Sequence, residues 1–121
     1  MRSLRPLEGQ VAIVAGGGSG IGAATTTLLA SLGAEVVVFD LNAEATLKII
    51  SQAQDEGNKC TFKQVDLRDE DAVVKNTDEV FQQLGRIDIC VNAVGVTGPT
   101  GIPTHEMGLK AFRDTFDINF F

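Results

Sequence analysis

The sequence predicts an α/β domain built on a parallel, doubly wound sheet. Four β-rich segments, at residues 11–15, 35–39, 60–65 and 87–92, recur at intervals of roughly 25 residues. Each interval is long enough for a helix that crosses back over the sheet, which is how parallel strands must be joined. A glycine-rich segment follows the first strand directly. The predicted order of elements is therefore βαβαβαβα.

Composition and charge favour one folded domain over residues 1–121. The chain has 10 Lys and Arg against 16 Asp and Glu, a formal net charge of −6, and 44% of its residues are hydrophobic. It has no basic cluster and no apolar run near the roughly 20 residues of a spanning helix, so we expect no nucleic-acid partner and no membrane partner. No signal-peptide pattern follows Met1, which favours a cytoplasmic location. Cys60 and Cys90 are predicted to be reduced core thiols.

The first two strands are continuous apolar runs, which is typical of strands covered by helices on both faces. We therefore expect a parallel sheet in a central position, with helices on both of its faces. In the first helix an apolar stripe recurs at helical spacing, and it is predicted to face the sheet. Its members are Ile21, Ala24, Leu28 and Leu32.

Helix ends are predicted from glycines and an acidic cap. Gly33, Gly57 and Gly85 lie where a left-handed residue would end each of the first three helices, and Asp69 is predicted to cap the start of the third. A Gly-, Pro- and Thr-rich loop is expected over residues 93–106, followed by a fourth helix. Because the chain stops within an apolar segment, we expect a sheet truncated after the fourth βα unit, as the N-terminal half of a longer domain.

The glycine-rich segment has the composition of a phosphate-binding loop. It runs Gly16-Gly17-Gly18-Ser19-Gly20-Ile21-Gly22 between the first strand and the first helix. Glycines allow the backbone to approach a pyrophosphate, whose charge free N–H groups at the helix N-terminus then meet. Two spacings fit, Gly18-x-Gly20-x-x-Ala23 and the wider Gly16-x-x-x-Gly20-x-Gly22, and either predicts a Rossmann-type dinucleotide site. The alternative is a flexible turn without a ligand.

Asp40 ends the second strand, about 20 residues beyond this loop, where a carboxylate can accept both adenosine ribose hydroxyls. Its charge would repel a 2′-phosphate, and the residues at 17–19 and 41–42 offer no cation to neutralise one. The sequence therefore predicts NAD as the cofactor. Asp40 could also cap the helix that begins near Ala43, and the two roles are compatible.

Taken together, these residues resemble the short-chain dehydrogenase/reductase family, and the resemblance extends over the whole chain. The spacing of Gly16, Gly20 and Gly22 is similar to that of the family's cofactor loop, and Asp40 matches its NAD-selecting acid. Asp66-Leu67 resembles the family's Asp and apolar residue that contact adenine. The segment from Asn92 to Gly95 resembles Asn-Asn-Ala-Gly, with departures at Ala93 and Val94, and Phe116-Asp117-Ile118-Asn119 resembles a fourth-helix segment that holds a proton relay.

The resemblance implies a set of site residues, and the sequence contains no residue spacing typical of a metal site. The implied catalytic residue is Asn119. The implied cofactor-binding residues are Gly16, Gly18, Ser19, Gly20, Ile21, Gly22, Asp40, Leu41, Asp66, Leu67, Asn92, Ala93 and Gly95.

The activity that the resemblance implies is NAD-dependent hydride transfer between nicotinamide and an alcohol or ketone, in a protein that is a homo-oligomer at full length. The family's Ser, Tyr and Lys are expected beyond Phe121. The chain contains no Tyr, so by itself it is predicted to be inactive. His105, its one histidine, is interpreted as a solvated loop residue. A non-catalytic nucleotide-binding or interaction module is the alternative. A receiver domain is disfavoured because glycines follow the first strand, where such domains need acids.

Overall fold

The computed structural model describes residues 5–94 together with Gly108 and Lys110. Within them strands and helices alternate, as predicted. The strands are β1 (Val11–Ala15), β2 (Glu35–Asp40), β3 (Cys60–Gln64) and β4 (Ile89–Asn92). The helices are α1 (Gly20–Ser31), α2 (Ala43–Asp55) and α3 (Glu70–Leu84). Strand β4 begins two residues later than the sequence suggests.

The four strands form one parallel sheet in the order β3-β2-β1-β4. Ala15 is in register with Phe39 on one side and with Asn92 on the other, so the carboxyl ends of three strands meet at one edge. Strands β2 and β3 lie on one side of β1, and the connection after β3 carries the chain across to β4 on the other side. In open α/β sheets this reversal creates a crevice at the strand ends where ligands bind.

Helices cover both faces of β1 and β2, which confirms the prediction of a central sheet between helices. On one face Val14 and Val38 pack with residues of α1 and α2, including Ala30 and Ile50. On the other face the core includes the α3 residue Val80, and its strand members are Val11, Ile13, Val37 and Phe39. The architecture is the Rossmann-type doubly wound sheet that the sequence predicts.

The predicted orientation of α1 is wrong. Ile21 is 82% exposed and Leu28 is 58% exposed, whereas the buried residues of the helix are Gly22, Thr26 and Ala30. These three residues are spaced four apart and therefore lie on one face. They are small, which lets the helix axis approach the sheet closely. Apolar residues occur all round this helix, so periodicity alone selected the wrong stripe.

The two cysteines have different environments. Cys60 is buried as predicted, and burial raises the pKa of its thiol to about 11. Cys90 is exposed, contrary to the prediction, because β4 is an edge strand among the described residues. Among those residues, no helix combines the length and the apolar character that crossing a membrane would require.

Two of the three helices begin with a side-chain cap, and one does not. Asn42 caps α2 by accepting a hydrogen bond from Ala45 N (3.1 Å). Asp69 caps α3, as predicted, by accepting one from Ala72 N (3.2 Å). Ser19 occupies the same position at α1, but its side chain makes no capping hydrogen bond. The N-terminus of α1 is therefore the one left open among these three helices.

Removal of the two cap side chains is expected to have unequal effects. Asp69→Ala should lower the free energy of unfolding by about 1 kcal/mol, because it removes the acceptor for Ala72 N. Ser19→Ala, the matched control, should change it by less than about 0.5 kcal/mol. Urea unfolding with unchanged m-values measures both. Equal losses in the two variants would contradict this account of the caps.

Candidate cofactor site

The glycine loop begins tightly packed beneath the end of β4. Gly16 has a φ of +77°, and its N–H donates to the carbonyl oxygen of Phe39 (2.7 Å). A Cβ added at Gly16 would lie 3.0 Å from the backbone carbonyl carbon and oxygen of Ala93. Position 16 therefore requires glycine for both its conformation and its space.

The first turn of α1 packs directly on this loop. A Cβ at Gly22 would overlap the carbonyl oxygen of Gly16, so the helix can approach only with glycine there. One turn later, the fully buried Thr26 donates its hydroxyl to the carbonyl oxygen of Gly17 (3.3 Å). Sequence reasoning missed this role of Thr26. Its spacing of four residues from Gly22 was the signal that could have found it.

The amino end of α1 is exposed, and its own first turn carries no acidic side chain. The exposed residues are Ser19, Gly20 and Ile21. The first helical hydrogen bond runs from Ala23 N to Ser19 O (3.0 Å), so the N–H groups of residues 20–22 precede the ladder. Such N–H groups, together with the helix dipole, form an anion-binding site.

The Asp40 carboxylate is held against the loop. Its Oδ2 accepts a hydrogen bond from Gly18 N (3.0 Å), and its Oδ1 accepts one from Asn42 N (2.9 Å). A Cβ at Gly18 would lie 2.9 Å from Asp40 Oδ2 and would overlap the hydroxyl of the buried Thr46. Asp40 thus joins the end of β2 to the glycine loop. It does not cap α2, since Asn42 does.

A pocket of about 250 Å³ opens beside Asp40 at the carboxyl ends of the strands. It brings together five of the predicted cofactor-binding residues, which are Gly16, Asp40, Leu41, Asp66 and Leu67. Val65, Arg68 and Val94 complete the lining and were not predicted. Val65 and Arg68 flank the predicted Asp66-Leu67 pair in sequence, so their position after β3 was the signal available for them.

Arg68 engages both carboxylate oxygens of Asp66. Its Nε lies 3.1 Å from Oδ1, one of its terminal nitrogens lies 3.2 Å from Oδ2, and its backbone N–H also donates to Oδ1 (3.0 Å). The side-chain hydrogen bonds, followed by the backbone one, lower the pKa of Asp66 below its ordinary value. Asp66 is therefore an ionised acceptor on the pocket wall.

Two other predicted residues shape the loop after β4. Asn92 accepts a hydrogen bond from Val94 N through its side-chain oxygen (3.1 Å), and Ala93 N donates to Ala15 O (2.8 Å). These bonds hold the backbone of Ala93 over the glycine loop, and neither residue lines the pocket. Gly95 and Asn119 lie outside the described residues. The described residues contain no group of His, Cys, Asp and Glu that could hold a metal ion.

Comparison with known proteins connects this geometry to a family. The model of the family described as short chain dehydrogenase matches residues 10–121. The 1-deoxy-11-beta-hydroxypentalenate dehydrogenase of Streptomyces exfoliatus is 36% identical over 113 residues, which are 93% of this chain and 41% of that protein.

Two solved structures are similar at a TM-score of 0.87. A metagenomic short-chain oxidoreductase in complex with NADP is 34% identical, with 94% of this chain and 51% of that one covered. An NAD⁺-bound xylitol dehydrogenase is 30% identical, with 93% of this chain and 43% of that one covered. The chain thus spans about half or less of the length of these proteins. Because the family model matches nearly the whole of it, the chain belongs to the short-chain dehydrogenase family.

Proposed function

We propose that this chain is the cofactor-binding part of an NAD-dependent oxidoreductase, in a single domain that is the N-terminal half of a longer one. The observation that carries the proposal is the Asp40 carboxylate bonded to the Gly18 amide, next to the open end of α1. Amides of the loop and first turn suit a pyrophosphate, and Asp40 suits ribose hydroxyls. The pocket at Asp66 and Leu67 suits an adenine ring. The donors and acceptors present therefore fit a nicotinamide adenine dinucleotide.

The charges around the pocket support NAD over NADP. Asp40 places a negative charge where a 2′-phosphate would lie, and repulsion between like charges a few ångströms apart costs on the order of 1 to 4 kcal/mol. Arg68 is the cation among the residues that line the pocket, and Asp66 already neutralises it. Known relatives include both NAD and NADP complexes, so the selectivity rests on these residues of the chain.

The chemistry that a bound nicotinamide supplies is hydride transfer to or from the carbon of a small alcohol or ketone. In this proposal the described residues bind the phosphates and the adenosine end of the dinucleotide. A proton donor of suitable pKa must also be provided. The chain contains no Tyr, and its one histidine, His105, lies outside the described residues. We therefore assign binding and orientation to these residues, and proton transfer to groups beyond them.

The same proposal includes the cellular location and the oligomeric state of the protein. Both cysteines are free thiols, which supports a reducing, cytoplasmic location. The resemblance to the family supports a homo-oligomer at full length. Neither property enters the geometry of the cofactor site.

Binding and turnover together test the proposed function. The chain of 121 residues should bind NADH, seen as a change in nicotinamide fluorescence, and should not oxidise it with simple ketones above background. The polypeptide that includes the rest of the domain should do both. Turnover by the chain alone would contradict the division of roles proposed here. Binding with no turnover by either polypeptide would favour the non-catalytic module, and absence of binding would exclude both.

Replacement of Asp40 tests cofactor selection. Asp40→Ala should raise affinity for NADP relative to NAD on the order of tenfold, because it removes the charge that opposes the 2′-phosphate. Dissociation constants for the two dinucleotides, measured by calorimetry, give this ratio. Asp55→Ala, an exposed carboxylate at the far end of α2, is the control and should leave the ratio unchanged. If Asp40 only anchors the loop, both affinities will fall together.

A further inference from the structure

Arg68 lines the pocket, and the proposed function gives it no role beyond its charge. Its guanidinium donates to both oxygens of Asp66 side by side, at 3.1 and 3.2 Å. Paired contacts of this kind hold the plane of the guanidinium close to the plane of the carboxylate. The side chains of Arg68 and Asp66 are 47% and 37% exposed, so the pair adds little to the stability of the fold. Its orientation is therefore its more consequential property.

Four of the other residues that line this pocket are apolar. Leu41, Val65, Leu67 and Val94 provide hydrocarbon surface in the same pocket. A slot with apolar walls and a fixed guanidinium suits a planar, electron-rich heteroaromatic ring. Guanidinium is weakly hydrated and stacks on such rings, whereas an ammonium group does not present a flat face.

The charges disfavour a phosphate as the partner of Arg68. Asp66 engages the guanidinium through both of its oxygens, and Asp40 lines the same pocket. These three side chains together carry a net charge of −1. A phosphate group next to Arg68 would have to compete with Asp66 for the guanidinium, and Asp40 would also repel it.

We infer that Arg68, held flat by Asp66, stacks on the adenine ring of the bound cofactor and is the positioning residue for that end of the dinucleotide. This inference rests on the proposed function, since it requires that the pocket receive adenine. It assigns to Asp66 a second task beside accepting a hydrogen bond, which is to orient Arg68.

Binding of NAD, NADP and AMP to Arg68→Ala and Arg68→Lys tests the inference. Arg68→Ala should weaken all three on the order of fivefold, since each contains adenine and an exposed cation–π contact has about that value. Arg68→Lys should recover only part of the lost affinity, because lysine restores the charge without the flat face that stacks. Arg86→Ala is the matched control. It removes a similar two-bond pair, with Asp88, whose carboxylate binds the N–H at the start of β1, far from the pocket.

The possible outcomes separate the inference from the proposed function. Unchanged NAD and AMP affinities in Arg68→Ala would overturn the inference alone. Full affinity in Arg68→Lys would show that charge and not planarity matters, and would also overturn it. Loss of NADP affinity alone would identify Arg68 as a phosphate ligand. If the unmodified protein binds neither NAD nor AMP, the proposed function falls and the inference falls with it.

Discussion

The hydrogen bond from Gly18 N to the Asp40 carboxylate is the interaction on which the arrangement of the site depends. It connects the loop after β1 to the end of β2, two segments that the parallel sheet brings to the same edge. It also places a negative charge beside amides that would otherwise bind any anion. In the proposed function, Asp40 therefore separates a part of the site that takes phosphate from a part that repels it.

Close backbone packing gives this bond its fixed geometry. Gly16 lies under Ala93, Gly22 lies against the carbonyl oxygen of Gly16, and Gly18 has the side chains of Asp40 and Thr46 at contact distance. A side chain at any of these three glycines would force apart the two segments that pack together there. The glycines at these three positions therefore allow the helix and the strands to pack closely together.

The same packing explains what the sequence could and could not predict. Strands, crossovers and parallel order follow from β-rich runs at regular spacing, and Asp40, Asp66 and the glycines follow from their positions at strand ends. The face of α1 did not follow, because the helix approaches the sheet through Gly22, Thr26 and Ala30, which carry less hydrophobicity than the exposed Ile21 and Leu28. The small volume of the side chains that face the sheet, and not their hydrophobicity, determined the orientation of α1.

Other features depend on contacts that no local pattern encodes. The Asp66–Arg68 pair requires a particular turn after β3, and the cover over Gly16 requires the end of β4 beside β1. The assignment to the adenine end therefore combines a sequence motif with a tertiary arrangement.

The central claim is that backbone amides of the glycine loop and of the first turn of α1 bind the pyrophosphate of a dinucleotide. Amide chemical shifts of the ¹⁵N-labelled protein during titration with NAD test it directly. We expect the largest changes at Ser19, Gly20, Ile21 and Gly22, together with smaller changes at Gly18, Leu41 and Asn42, because the Gly18 N–H already donates to Asp40. Saturable binding that leaves these amides unmoved, with changes confined to other parts of the chain, would contradict the claim.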